Sequence, residues 1–145
     1  MADRSAEIKR FTSETEIKLS FCIDGQGDFH LDSGIPFFDH MLNGFTRHGL
    51  FDLSGTIRGD IEVDSHHTVE DTGIVLGEAI KEAIGDKRGT RRFGQAILPM
   101  DDALVLCAID LSGRPYYSSD LTFTCEKLGD MDTEMIREFF YAISY

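Results

Sequence analysis

Tryptophan is absent from the 145 residues, and proline and cysteine occur three times each. Three cysteines cannot all pair, and two of them lie in strand-like apolar runs. A disulfide framework is therefore excluded, and reduced structural thiols in a cytoplasmic protein are expected. Positive charge is scarce: 14 Lys and Arg against 26 Asp and Glu give a net charge of −12. Such a surface repels phosphate backbones and anionic bilayers, which argues against nucleic acid or membrane as partners. No apolar run approaches the ~20 residues of a membrane span, and the first residues lack the basic-then-apolar build of a secretory signal. His-Glu-x-x-His and Cys-x-x-Cys are missing, so the common zinc-protease and zinc-finger spacings are excluded. What is present, 41% hydrophobic and 28% charged residues, suits one globular domain with its own core.

Residues 15–23 alternate, with Ile17, Leu19, Phe21 and Ile23 on one face, and predict a half-buried strand. Asp24-Gly25-Gln26-Gly27 reads as a hairpin turn and residues 28–32 as its return strand. Pro36 opens a helix whose buried stripe is expected at Phe37, Met41, Leu42 and Phe45, and which Gly49 stops. Strand-like segments from Leu50 to Val63 divide at Gly59. A second helix is expected from Ser65, with Val69, Gly73, Leu76, Ile80 and Ala83 on one face and Gly85 as its stop. The order then begins again, with a strand over 103–110, a turn over 111–115, a return strand from Tyr116 and a helix from about Thr133. That helix carries Met135, Ile136, Phe139 and Phe140. The chain thus reads as a single domain, 1–145, of two pseudo-repeats, about 10–86 and about 95–145. The second copy reaches Tyr145 without the further strand and helix of the first, leaving an apolar helix end uncovered. The natural chain is therefore expected to continue by roughly one strand and one helix.

The densest chemistry lies in Asp64-Ser65-His66-His67-Thr68-Val69-Glu70-Asp71. On a helix His66 shares a face with Glu70, and His67 with Asp71. Neighbouring residues diverge by about 100°, so the two imidazoles suit two ions better than one. Nitrogen and carboxylate donors together favour Mn²⁺, Fe²⁺ or Zn²⁺ over Ca²⁺. A plainer reading makes Ser65 an N-cap and Thr68-x-x-Asp71 a capping box. A second cluster, Lys87, Arg88, Arg91 and Arg92, stands in a glycine-punctuated stretch of an acidic chain. It is a candidate phosphate site or a solvated loop.

Several motifs occur in order: Phe37-Phe38-Asp39-His40-Met41-Leu42, His48-Gly49, His66-His67-x-x-Glu70-Asp71, Arg92-Phe93-Gly94, Pro99-Met100-Asp101-Asp102-Ala103-Leu104 and Asp110-Leu111-Ser112-Gly113-Arg114-Pro115-Tyr116. Together they resemble the imidazoleglycerol-phosphate dehydratase family from Arg10 to about Phe140. The resemblance implies an α+β fold of two similar βαβα-type halves, the repeat of ribosomal proteins and GHMP kinases, with helices packed between two mixed sheets. It implies a carbon–oxygen hydro-lyase that converts D-erythro-imidazole-glycerol phosphate to imidazole-acetol phosphate in histidine biosynthesis. It also implies two Mn²⁺ ions per active site, bound between subunits of a homo-oligomer in which trimers build a large octahedral particle. The metal ligands it implies are His40, His66, His67 and Glu70, with Asp71 as support. Glu14, matched through Arg10-x-Thr12-x-Glu14-Thr15, takes a catalytic place together with His48 and Asp101, and Arg92 and Arg114 take the substrate phosphate. The family's second His-His-x-x-Glu motif, the ligand histidine before it and a C-terminal lysine and serine have no counterpart up to Tyr145, in keeping with the shortened second repeat.

The implied chemistry accounts for these residue types. The substrate's carbon–hydrogen bond is not acidic, so base catalysis alone is slow. A Mn-bound imidazolate of the substrate can push electrons toward the departing hydroxyl, and a carboxylate then handles the proton on the neighbouring carbon. Two other classes compete. One is a non-catalytic metal-binding or assembly module, since half of the family's ligands are absent. The other is a metal-dependent phosphohydrolase, whose aspartate-rich strand-end motifs are not evident.

Overall fold

The computed structural model describes residues 4–145. Strands β1 (Ser5–Phe11) and β2 (Thr15–Cys22) form an antiparallel hairpin closed between Phe11 and Glu16. Strand β3 (Phe29–His30) is only two residues long. Helix α1 (Pro36–Gly49) follows, then strand β4 (Asp52–Gly59) and helix α2 (His66–Ile84). The sheet order is β1-β2-β4-β3, with β2 and β4 antiparallel and β3 parallel to β4. This mixed sheet, covered by helices, is the α+β architecture expected.

The expected hairpin at 24–27 does not form. The Asp52 carboxylate accepts hydrogen bonds from the backbone N–H groups of Gln26, Gly27 and Asp28 at 2.8, 3.1 and 3.0 Å. The bond from Asp28 chiefly holds the carboxyl below its usual range. One ionised group satisfying three backbone donors outweighs a local turn preference, so the segment crosses to β4 instead of folding back on β2. There Leu53 N donates to Asp28 O at 2.9 Å.

The alternation of β2 holds: Ile17, Leu19 and Phe21 are buried, and across the ladder Ile57 and Leu53 oppose Ile17 and Phe21. Helix α2 covers this face with Val69, Leu76, Ala79 and Ala83, and Gly85 ends it at φ 59°. On α1 the buried residues are Phe38, Leu42 and Thr46, while Met41 is exposed. The series 37–41–45 and 38–42–46 are adjacent, and periodicity cannot choose between them. Asp39 sets the helix start, accepting from Ser33 N at 3.0 Å and Ser33 Oγ at 2.7 Å.

Strands β5 (Phe93–Met100) and β6 (Ala103–Asp110) form a second hairpin in which every residue is exposed. The return strand expected from Tyr116 is absent. β6 instead pairs with β5 across a two-residue turn, a cheaper closure than the longer loop over 111–115. Residues 111–126 hold no strand. A small hairpin of β7 (Lys127–Leu128) and β8 (Met131–Asp132) leads into helix α3 (Met135–Ser144). α3 lies against α2 at Gly73 and Gly77. A Cβ at Gly73 would stand 2.9 Å from Ala142 Cβ, and one at Gly77 would stand 2.7 Å from Ile143 O, so the two glycines let the helices meet backbone to backbone. Among the described residues no helix is long and apolar enough to cross a membrane.

Arg4 ties the edge of β1 to Asp24 through its backbone N at 3.1 Å, Nε at 3.0 Å and Nη2 at 2.6 Å. This clasp lowers the Asp24 carboxyl from 3.8 to about 2. A carboxylate depressed in the fold stabilises fully above its unfolded value, and the contribution is lost as pH falls through the folded one. Thermal unfolding of Asp24→Asn and wild type should therefore differ by a constant small amount near neutrality. That difference should close as pH drops from about 4 toward 2.

Candidate metal and catalytic site

The first turn of α2 carries the densest set of functional side chains. Ser65 occupies the N-cap position without a side-chain capping bond. Asp64 Oδ1 accepts from His66 N at 2.7 Å instead, and the Thr68–Asp71 capping box does not form. His66 Nε2 stands 3.6 Å from Glu70 Oε2 one turn along. His67 turns the other way, its Nδ1 lying 3.0 and 3.2 Å from the two Asp60 oxygens. The rings are 6.0 Å apart at 71°, so the imidazoles serve different partners, as their helical spacing predicts.

Asp60 was not legible as a site residue. The signal lies next to it in Gly59, where a Cβ would collide with Thr68 Oγ1. Only glycine lets the end of β4 press onto the first turn of α2, which carries Asp60 to His67. Asp71, expected on the face of His67, pairs elsewhere. Its Oδ1 accepts from Arg10 Nε at 2.8 Å and its Oδ2 from the hydroxyl of Thr15. Residues brought in by the neighbouring strands take Asp71, which ties the β1–β2 hairpin to α2.

Glu14 is exposed at the turn of that hairpin. Its Oε1 accepts from Ser13 Oγ at 2.6 Å. This bond is the main cause that holds the carboxyl below its ordinary range, opposed by partial desolvation, with a smaller contribution from the charge of His67. Reciprocally, the Asp60 hydrogen bond raises His67 above an ordinary imidazole, against partial desolvation, and the charges of Asp60, Glu14 and Asp64 add to it. The structure thus brings Glu14, Asp60, His66, His67 and Glu70 to one region. His40 and His48 occupy exposed positions of α1. Among the described residues no three His, Cys, Asp or Glu side chains are placed to hold one ion.

The donors nevertheless suit a divalent metal chemically. A carboxylate on Nδ1 fixes the proton there and leaves Nε2 as the ligand, the usual support of a metal-bound histidine. The 3.6 Å between His66 and Glu70 is a separation that two metal–ligand bonds of about 2.1 Å can bridge. One chain supplies two half-shells and not a complete one.

At the open end of the β5–β6 hairpin, Arg92 donates Nε and Nη2 to Asp110 at 2.7 and 3.2 Å. Lys87 Nζ donates to Leu111 O at 2.8 Å. Asp110 is held low first by the Arg92 hydrogen bond, against partial desolvation, and also by the charges of Arg92, Arg114 and Lys87, so these cations share one neighbourhood. Asp101 occupies the opposite tip at φ 51°. An eight-residue strand spans about 25 Å, so Asp101 does not belong with Arg92 and Arg114 within one chain.

Fold and site together define an α+β protein with carboxylate-supported imidazoles at a helix start and a separate arginine cluster. A family model described as imidazoleglycerol-phosphate dehydratase matches residues 33–145. Imidazoleglycerol-phosphate dehydratases from Lachnoclostridium phytofermentans and Acetivibrio thermocellus are 59% and 57% identical, each across 99% of this chain and 73% of the relative. The crystal structure of the Staphylococcus aureus imidazoleglycerol-phosphate dehydratase superposes with a TM-score of 0.82 at 37% identity, covering 97% of this chain and 77% of that one. The Pyrococcus furiosus structure gives 0.79 at 33% identity, covering 94% and 72%. The chain belongs to the imidazoleglycerol-phosphate dehydratase family. It is accordingly a hydro-lyase of histidine biosynthesis.

Proposed function

We propose that the chain converts D-erythro-imidazole-glycerol phosphate to imidazole-acetol phosphate with Glu14 as the proton-transfer group. His66, His67 and Glu70 hold divalent metal, Mn²⁺, near it. The observation that carries this reading is the pairing of Thr15 with Gly59, which sets Glu14 beside the strand end that holds Asp60, itself 3.0 Å from His67 Nδ1. A bound ion supplies Lewis-acid polarisation and orientation of the substrate ring. Glu14, kept ionised by Ser13, accepts the proton from the carbon beside the departing hydroxyl. That carbon–hydrogen bond and the carbon–oxygen bond break, water leaves, and the enol so formed becomes the ketone. Asp60 keeps His67 in the tautomer that presents Nε2. Arg92 and Arg114 receive the phosphate.

His40 and His48, which complete no group of three donors among the described residues, act from a neighbouring copy. The active unit is then a homo-oligomer, of the trimer-built octahedral kind, with metal shared between subunits. The incomplete ligand set of a single chain supports this reading. Free Cys22, Cys107 and Cys125 support a reducing, cytoplasmic setting.

An assay with imidazole-glycerol phosphate tests the function. Formation of the ketone without release of inorganic phosphate supports the dehydratase, and phosphate release would instead establish a phosphohydrolase. Arg92→Ala or Arg114→Ala should weaken binding of phosphorylated substrate and of inorganic phosphate by roughly 10- to 150-fold. Arg92 should fall toward the lower end, because phosphate must compete with the Asp110 fork. Lysine should restore only part of the loss. Equal losses with a phosphate-free analogue would assign the arginines to structure.

A further inference from the structure

We propose that Thr12, Thr15 and Asp71 form a buried-to-surface hydrogen-bond chain that positions Glu14 against the first turn of α2. The proposal rests on the reading of Glu14 as the proton-transfer group. Thr15 and Asp71 are only 5% and 7% exposed. The Thr15 hydroxyl donates to Asp71 Oδ2, so it accepts from the Thr12 hydroxyl 3.1 Å away. Thr12 Oγ1 in turn accepts the backbone N–H of Glu14 at 3.1 Å and of Thr15 at 2.9 Å. Every hydroxyl is used once as donor, and the chain ends on a carboxylate. Arg10, on the other strand of the hairpin, donates to the second oxygen of the same carboxylate at 2.8 Å. Both sides of the turn are thus pinned to one residue of α2, adjacent to Glu70.

The hairpin does not need this chain to form, since the β1–β2 ladder runs from Ser5 opposite Cys22 to Phe11 opposite Glu16. The chain instead adds a fixed separation between an exposed turn, of the kind that otherwise opens locally, and the imidazoles of α2. The Glu14 carboxylate accepts from Ser13 Oγ at the exposed turn, where it can take up a proton. Thr12, Thr15 and Asp71 are positioning residues.

Thr15→Val, Thr12→Val and Thr15→Ser, each alone and combined with Glu14→Gln, provide the test in the assembled enzyme. Thr15→Val should lower kcat about 10-fold, the scale of a small misplacement of a reacting group, with KM and bound metal unchanged. Amide exchange at Glu14 should quicken by a similar factor. Thr15→Ser should restore both. Thr12→Val severs the chain at an exposed residue and should act alike, so instability of Thr15→Val does not remove the test. In the Glu14→Gln background neither valine variant should slow turnover further. Fully additive losses, or unaltered kcat with unaltered exchange, would overturn the positioning role alone. Normal turnover in Glu14→Gln by itself would overturn the role of Glu14, and this proposal with it.

Discussion

Replacing His66 and His67 together by alanine should remove nearly all bound divalent metal and abolish dehydratase turnover. His66 contributes the nitrogen of the pair it makes with Glu70 at 3.6 Å, and His67 contributes the nitrogen that Asp60 orients. The double variant takes the only nitrogen donor from each half-shell, and carboxylate oxygen alone binds a borderline ion weakly. Folding should survive, because both side chains are part-exposed and the core face of α2 is untouched. Asp60→Asn provides the graded companion: loss of an orienting carboxylate typically costs 10- to 100-fold in metal affinity. Metal content by elemental analysis, with circular dichroism for the fold, decides the matter. Unchanged stoichiometry in the double variant would sink the ligand assignment.

Glu14→Gln should lower turnover by roughly 100-fold or more, the usual contribution of a positioned general base, while thermal stability and substrate binding stay near wild type. The structure gives this prediction a sharper form. Glu14 is exposed, its carboxylate accepts from Ser13, and its backbone N–H donates to Thr12 Oγ1. Glutamine keeps the size and the backbone contact and loses only the basic oxygen. Single-turnover kinetics separates the chemical step from binding. Turnover close to normal would make Glu14 a solvated surface charge.

Much of the site was legible because its information is local. The i, i+4 spacing of His66 and Glu70 is a property of any helix, and the structure realises it. The divergence of His66 and His67 follows from the same geometry. Arg92 meets Asp110, distant in sequence, because antiparallel pairing returns Asp110 to Phe93. The same pairing places Asp101 at the tip of the hairpin, away from its open end. The Asp24–Gly27 turn was misread because its competitor, Asp52, lies on another element and acts through three backbone donors. The α1 stripe was right at Leu42 and missed Phe38, with Met41 and Phe45 exposed instead, because two apolar series share the helix.

By itself the sequence determined the positions of the three helices, the apolar face of β2 and, through ordered motifs, the family. Each depends on residue type and on spacing within one element, where geometry is set by the backbone period. Only the tertiary structure decided that Asp60 orients His67, that Asp71 answers to Arg10 and Thr15, and that β3 runs parallel to β4. These are choices among partners from distant segments. They are settled by which carboxylate satisfies the most donors, and by how closely a glycine such as Gly59 lets two elements approach.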